Sequence, residues 1–191
     1  MTSSPVTAPL QTAFAAIDAA NAQDPTLEDG QPAALLYGQR MSAEQEGLFP
    51  DASDRLKIAA RGQHIERWTL PRSDYPEGRA GYLEWRREQG RRHAARVGGI
   101  MADAGYGEED VAQVEKMLRK EGLKRDAEVQ ALEDIICFTF IRHYLGDFAQ
   151  TQEADQLLSI VQKTARKMSP EAREKALAAF EMPPAFAEAF I

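Results

Sequence analysis

Ala127-Glu-Val-Gln-Ala-Leu-Glu-Asp-Ile-Ile-Cys-Phe-Thr-Phe-Ile-Arg-His-Tyr-Leu-Gly146 is the stretch on which the fold turns. After Asp134 its apolar side chains fall on nearly every side of a helix. A helix that is apolar all round belongs inside a core. Residues 127–146 are therefore expected to form the central helix. Its mouth carries two adjacent carboxylates, Glu133 and Asp134. Burying them is costly unless a partner compensates. A histidine, a metal ion or a guanidinium could do so, and the chain offers candidates for each.

Working outward toward the N-terminus, a long arginine-rich helix is expected over 79–104, closed by Gly105 and Gly107. Glu108–Lys120 follows, with acids in its first turn and bases in its last, as the helix dipole prefers. Gly122 and Asp126 separate it from the central helix. Earlier still, Leu10–Asn21 has helical apolar spacing. Pro32 starts a helix to about Leu48, and Asp54–Trp68 forms the next. Residues 69–78 read as a proline- and glycine-punctuated loop, and residues 1–8 as a disordered tail. On the C-terminal side, Thr151–Lys167 is amphipathic and Ser169-Pro170-Glu171 is a helix start. The segment from Met182 to Ile191 reads as a docking arm, its Phe186 and Phe190 at i, i+4 spacing suiting either helix-in-groove docking or internal packing. No strand alternation and no internal repeat is visible. The expectation is one all-α domain, a helical bundle over residues 9–191.

Composition limits the partners. The chain of 191 residues carries a net charge of −7. That argues against general affinity for DNA or an anionic membrane, because phosphate backbones need a positive footprint. The charge is uneven, however: Arg61 to Ile100 holds nine arginines against five acids. This basic stretch is either a solvated helix face or an anion site. The single cysteine, Cys137, excludes an internal disulfide and reads as a small buried hydrophobe. The first residues lack a basic start and apolar core, and no apolar run approaches the ~20 residues of a membrane span. The chain is expected to be cytoplasmic and soluble.

Three positions could carry chemistry. Leu56, Ala60, His64 and Arg67 recur at helical spacing on the expected third helix, apolar at its start and polar at its end. His64 alone could be a satisfied core or rim residue, but Gln63 and Arg67 beside it can both hydrogen-bond an anion. On the long helix Tyr82, Trp85, Arg86, Gln89, His93 and Arg96 form one stripe, half aromatic and half polar. His93 there either lines a cavity or caps a carboxylate. Of Glu133 and Asp134, only one can readily enter a given pocket, since neighbours on a helix point about 100° apart. A salt bridge to an arginine is the structural alternative.

Two histidines and a carboxylate suit a hard or borderline divalent metal such as Mn, Fe, Mg or Zn. A metal on His64, His93 and Asp134 could polarise a phosphate and activate water. Arg40, Arg67, Arg72, Arg79, Arg86 and Lys120, with Gln63, could then hold phosphate oxygens. There is no HExxH, no Walker loop and no glycine-rich dinucleotide signature.

Leu36-Tyr-Gly-Gln-Arg-Met41, Gln63-His-Ile-Glu-Arg-Trp68, Tyr75-Pro-Glu-Gly-Arg-Ala-Gly-Tyr-Leu-Glu-Trp-Arg86 and Glu128-Val-Gln-Ala-Leu-Glu-Asp134 resemble the domain of unknown function 4202 family. Its members often carry a glutamyl-tRNA synthetase label, although this chain shows none of the synthetase signature motifs. More distantly, the layout is similar to the HD superfamily of helical metal-dependent phosphohydrolases. Ala59-Ala-Arg-Gly-Gln-His64 resembles the helix leading into the His-Asp pair of that superfamily, and Glu133-Asp134 its late acid. Tyr37 stands at the position of the first histidine and Ile65 at that of the paired aspartate. The resemblance therefore leaves two outcomes: the metal moves to His64, His93 and Asp134, with or without Glu133, so that His64, Asp134 and Glu133 act as the catalytic group, or it is lost. Two functions follow as expectations. One is a phosphohydrolase acting on a nucleotide or other phosphoester. The other is a non-catalytic module that binds a phosphorylated metabolite in an arginine-rich pocket.

Overall fold

A computed structural model describes residues 8–191. The expected tail, residues 1–8, lies outside the described residues except for Ala8, which already belongs to a helix. The described residues are all-α but for one two-stranded hairpin. Its backbone contacts divide it into two compact units, the first ending at Gly122 and the second spanning Leu123–Ile191.

The first unit contains α1 (Ala8–Asn21), a hairpin of β1 (Leu27–Glu28) and β2 (Gln31–Pro32), α2 (Ala33–Leu48), α3 (Asp54–Arg61), α4 (Gly78–Asp103) and α5 (Glu108–Leu118). Its core is built where these helices face one another: Ile17 from α1, Met41 from α2, Ile58 from α3, Val97 and Met101 from α4, Val114 and Met117 from α5, all fully buried. The hairpin was not anticipated. Asp29 and Gly30 both take positive φ, 51° and 76°, the two left-handed positions of a type I′ turn. Arg40 of α2 pins it by pairing with Glu28 and Asp29.

The third helix ends seven residues before the expected Trp68. Ser53 caps its start by accepting from the Leu56 N–H, and Gly62 is its C-cap. Gly62 sits so close to α4 that a Cβ there would come within 2.6 Å of the Val97 side chain. From Gly62 the chain turns. Glu66 adopts left-handed φ of 50°, and its N–H is held by the Asn21 side chain at 3.1 Å. The helical face proposed for Leu56, Ala60, His64 and Arg67 therefore does not exist beyond Arg61. His64 and Arg67 are presented by a turn and a 3-10 segment, Arg67–Thr69.

α4 follows its expected bounds to within a residue. Gly81 in its first turns is in contact with the Pro76 carbonyl, so a side chain there would collide with backbone. At Gly90, a Cβ would lie 3.3 Å from the Leu118 carbonyl. That close approach brings the end of α5, and the Arg119-Lys120 turn after it, against the middle of α4.

The second unit holds α6 (Ala127–His143), α7 (Leu145–Ala149), α8 (Ala154–Lys167), α9 (Pro170–Ala179) and α10 (Pro184–Ala187), followed by a 3-10 turn over Glu188–Phe190. The expected central helix ends at His143, and the short α7 takes up the remainder. Asp126 caps α6 through the N–H groups of Glu128 and Val129. Ile135, Phe138 and Leu132 of α6 are buried with Val161 and Ala165 of α8 and Ala176 of α9. Cys137 is buried, as expected of a small hydrophobe. Phe190 is buried, and its 3-10 turn packs on α8 and α9. Of the two uses open to the C-terminal segment, internal packing is the one Phe190 serves. No helix among the described residues is long and apolar enough to cross a membrane.

Candidate functional site: an arginine-rich pocket on the first unit

A cavity of about 380 Å³ opens between the middle of α4, the Gln63–Arg67 turn and the end of α5. Arg86, Gln89, Gly90 and His93 of α4 line it. These positions follow i, i+3, i+4, i+7 spacing, so they share one helix face. The turn supplies Gln63 and Arg67, and the end of α5 supplies Arg119 and Lys120.

The turn is fastened to α4 by side chains that reach its backbone. Gln89 Nε2 donates to the carbonyls of Arg67 at 2.9 Å and Leu70 at 3.0 Å. Trp85 Nε1 donates to the same Leu70 oxygen at 2.9 Å. With its backbone fixed, Arg67 lays its guanidinium over the Trp85 ring, 4.7 Å from the centroid. Burial, and then the charge of Arg86, lower the Arg67 pKa from its ordinary value. Two guanidinium groups are thus held side by side against their mutual repulsion.

No carboxylate among the described residues pairs with Arg67, Arg86 or Arg87. By contrast, Arg91 pairs with Glu88, and Arg119 with Glu115 and Glu121. Arg67 and Arg86, half-buried and left without acids, make a site that favours an anion; Arg87 is exposed at its edge.

Both histidines of this unit stand beside those charges. The His64 ring stacks on Tyr37 at 3.9 Å and lies 6.1 Å from the His93 ring. Burial holds the His64 pKa well below its ordinary value, helped by Arg67, His93, Arg86 and Lys120. For His93, burial and then Arg67 and Arg86 push the pKa down to about 3. Both rings are neutral at pH 7. His93 donates to the Gln63 backbone carbonyl, and its Nε2 is buried without a hydrogen-bond partner. The donor is therefore Nδ1, and Nε2 keeps its lone pair.

The family model described as domain of unknown function (DUF4202) matches residues 11–190. The chain belongs to that family. No curated protein and no solved structure matches it.

Within this DUF4202 chain the expected site residues divide clearly. Gln63, Arg67, Arg86, His93 and Lys120 line one pocket, with His64 against its rear through His93. Arg40 is taken up by the hairpin acids. Arg72 donates to the carbonyls of Tyr75, Pro76 and Gly78, closing the loop before α4. Arg79 is exposed and lines no part of the pocket.

Glu133 and Asp134 belong to the second unit. Asp134 accepts from Gln130 Nε2 at 2.9 Å, the Ser169 N–H at 2.8 Å and Ser169 Oγ at 2.7 Å. It anchors the start of α9, and Ser169 Oγ in turn caps the Ala172 N–H. Glu133 is buried with Lys167 Nζ at 3.8 Å. The burial of Asp134 is answered by partners within its own unit. Among the described residues, no three His, Cys, Asp or Glu side chains are grouped to hold a metal ion. His64 and His93 lie in the first unit and Asp134 in the second.

Sequence reasoning missed Arg87, Arg91 and Arg119 in the pocket wall. Arg87 and Arg91 repeat at i, i+4 on the helix already singled out, so the signal was present. Arg119 was not legible, because its place depends on the close approach at Gly90.

Proposed function

We propose that this protein binds a small phosphorylated ligand in the arginine-rich pocket of its first unit. The observation that carries this reading is the pair Arg67 and Arg86, half-buried and bonded to no acid, in one cavity whose acidic wall residue, Glu121, is engaged by Arg119. Guanidinium groups match phosphate oxygens in charge and in planar, two-pronged geometry. Arg67 is held in place by the Trp85 face and the Gln89 bonds, so less ordering is lost on binding. A cavity near 380 Å³ is at the small end of ligand sites, suited to one phosphate group and a modest organic part. The neutral imidazoles add polar recognition without competing for the anion. This is the non-catalytic alternative among the two expected functions. A hydrolytic role would need a water-activating group, and His93 with a pKa near 3 is a weak base in the free protein.

A thermal-shift titration with inorganic phosphate in the presence of a chelator tests the reading. A ligand that binds only the folded state raises the melting temperature with concentration. Phosphate is expected to do so without added metal, and Arg86→Met to remove the effect. A shift that requires Mn²⁺ or Mg²⁺ would favour the phosphohydrolase reading instead.

A further inference from the structure

Beside a first phosphate on Arg67 and Arg86 the cavity has room for one modest further group, and its walls bear on what that group is. Six cations line the cavity against one acid, Glu121, and Leu118 is the only apolar side chain among the lining residues. Ligand pockets are ordinarily walled mostly by apolar and aromatic side chains. An apolar substituent would find little to bury against here. Arg87 stands exposed at the edge, and no acid among the described residues pairs with it. With Arg67 and Arg86 it makes three guanidinium groups without acids in one cavity. A phosphate monoester carries at most about two negative charges. The surplus calls for a second anion.

The α5 wall carries an independent sign. Lys120 follows α5 with a left-handed φ of 58°. Its N–H donates to the Met117 carbonyl at 2.9 Å, and the Glu121 N–H donates to the Lys116 carbonyl at 3.1 Å. These two bonds make the Schellman ending of a helix, in which the left-handed position is ordinarily glycine. A lysine there carries a steric penalty that glycine avoids. The chain nevertheless sets a cation at this position, and that cation lines the pocket. Its charge acts on His64, after those of Arg67, His93 and Arg86. Strain held in the wall of a cavity points to a side chain kept there for a task.

We propose that the anionic part of the ligand is a diphosphate, with one phosphate on Arg67 and Arg86 and the second at the mouth, between Arg87 of α4 and Lys120 of the turn after α5. The proposal rests on the phosphate-binding reading above and adds a second anion subsite. Two phosphates joined through one oxygen stay close enough to share a single small cavity. A guanidinium takes phosphate oxygens two at a time, whereas a lysine ammonium acts as a point charge. Arg87 therefore orients the outer phosphate, and Lys120 neutralises it.

Calorimetric titration of the full chain with inorganic phosphate and with inorganic pyrophosphate, both in the presence of a chelator, provides the test. Pyrophosphate is expected to bind at least about tenfold more tightly than phosphate. Arg87→Met should weaken pyrophosphate about tenfold and phosphate by less than about threefold. Arg79→Met, which removes an exposed arginine of the same helix outside the cavity, should change neither. Lys120→Gly should weaken pyrophosphate as selectively as Arg87→Met does. Its melting temperature should not fall, because glycine suits the left-handed position. Equal affinity for the two anions, or equal losses in Arg87→Met and Arg79→Met, overturns the second subsite while leaving phosphate binding intact. A Lys120→Gly protein that keeps the parent's affinity, or that melts lower, overturns the place of Lys120 in that subsite. Failure of both anions to bind removes the anion pocket itself, and the second subsite with it.

Discussion

Trp85 and Gln89, one helical turn apart on α4, donate to a single acceptor, the Leu70 carbonyl, at 2.9 and 3.0 Å. This shared oxygen ties the Arg67 turn to the helix that carries Arg86 and His93. Removing one donor leaves the other in place. Trp85→Phe and Gln89→Leu should therefore each cost about 1–2 kcal/mol of stability. The double variant should lose more than the sum, because only then is the buried carbonyl orphaned. Urea unfolding of the four proteins in the cycle measures the coupling. Strict additivity would show that the two bonds do not share a load.

The depressed histidines predict a pH dependence of a definite sign. His93 has a folded pKa of about 3, against an ordinary value near 6.5 in the unfolded chain. Below pH ~6.5 the unfolded state binds a proton that the folded state refuses, so stability falls as pH falls. The loss develops between pH 6.5 and 3 and is absent above pH ~7. At pH 5 it amounts to about 2 kcal/mol for His93. The groups facing its ring are Arg67 and Arg86, with Gln63 and His64. His93→Gln should flatten the difference in unfolding free energy between pH 7 and pH 5 relative to the parent. An equal difference in both would place the titration elsewhere.

Asp134 makes three hydrogen bonds that organise the start of α9. Asp134→Ala should destabilise the second unit by about 2–4 kcal/mol, the order expected when buried donors lose their acceptor. Limited proteolysis of the α8–α9 junction reports it directly, with faster cleavage near Ser169. Resistance unchanged from the parent would mean that the carboxylate is not structural.

Helices were legible where capping and periodicity agree. Ser169-Pro170, Asp126 and Ser53 each announce a helix start, and each caps one. The end of α3 was not, because Gly62 is read as tolerable inside a helix until Val97 is seen against it. The hairpin escaped for a different reason: two-residue strands are too short to alternate, leaving Asp29-Gly30 as the sole signal. For the site, sequence places many arginines in one region but does not say what each one faces. Arg40 and Arg72 lie near candidate motifs yet are claimed by hairpin acids and loop carbonyls. Arg67 and Arg86 remain without acids only because of how the turn folds back on α4. The cost of burying Asp134 was correctly anticipated, but Ser169 answers it, some 35 residues away in sequence.

Titration calorimetry with inorganic phosphate on the parent, Arg86→Met and Arg79→Met is the most direct trial of the anion pocket. Arg79 supplies the control, since it has the same charge on the same helix but lies outside the cavity. The parent and Arg79→Met should bind with similar affinity, weakening as salt is raised. Arg86→Met should bind at least tenfold more weakly. Equal loss in both variants, or binding indifferent to Arg86, would mean that diffuse surface charge attracts the phosphate and that the pocket does not.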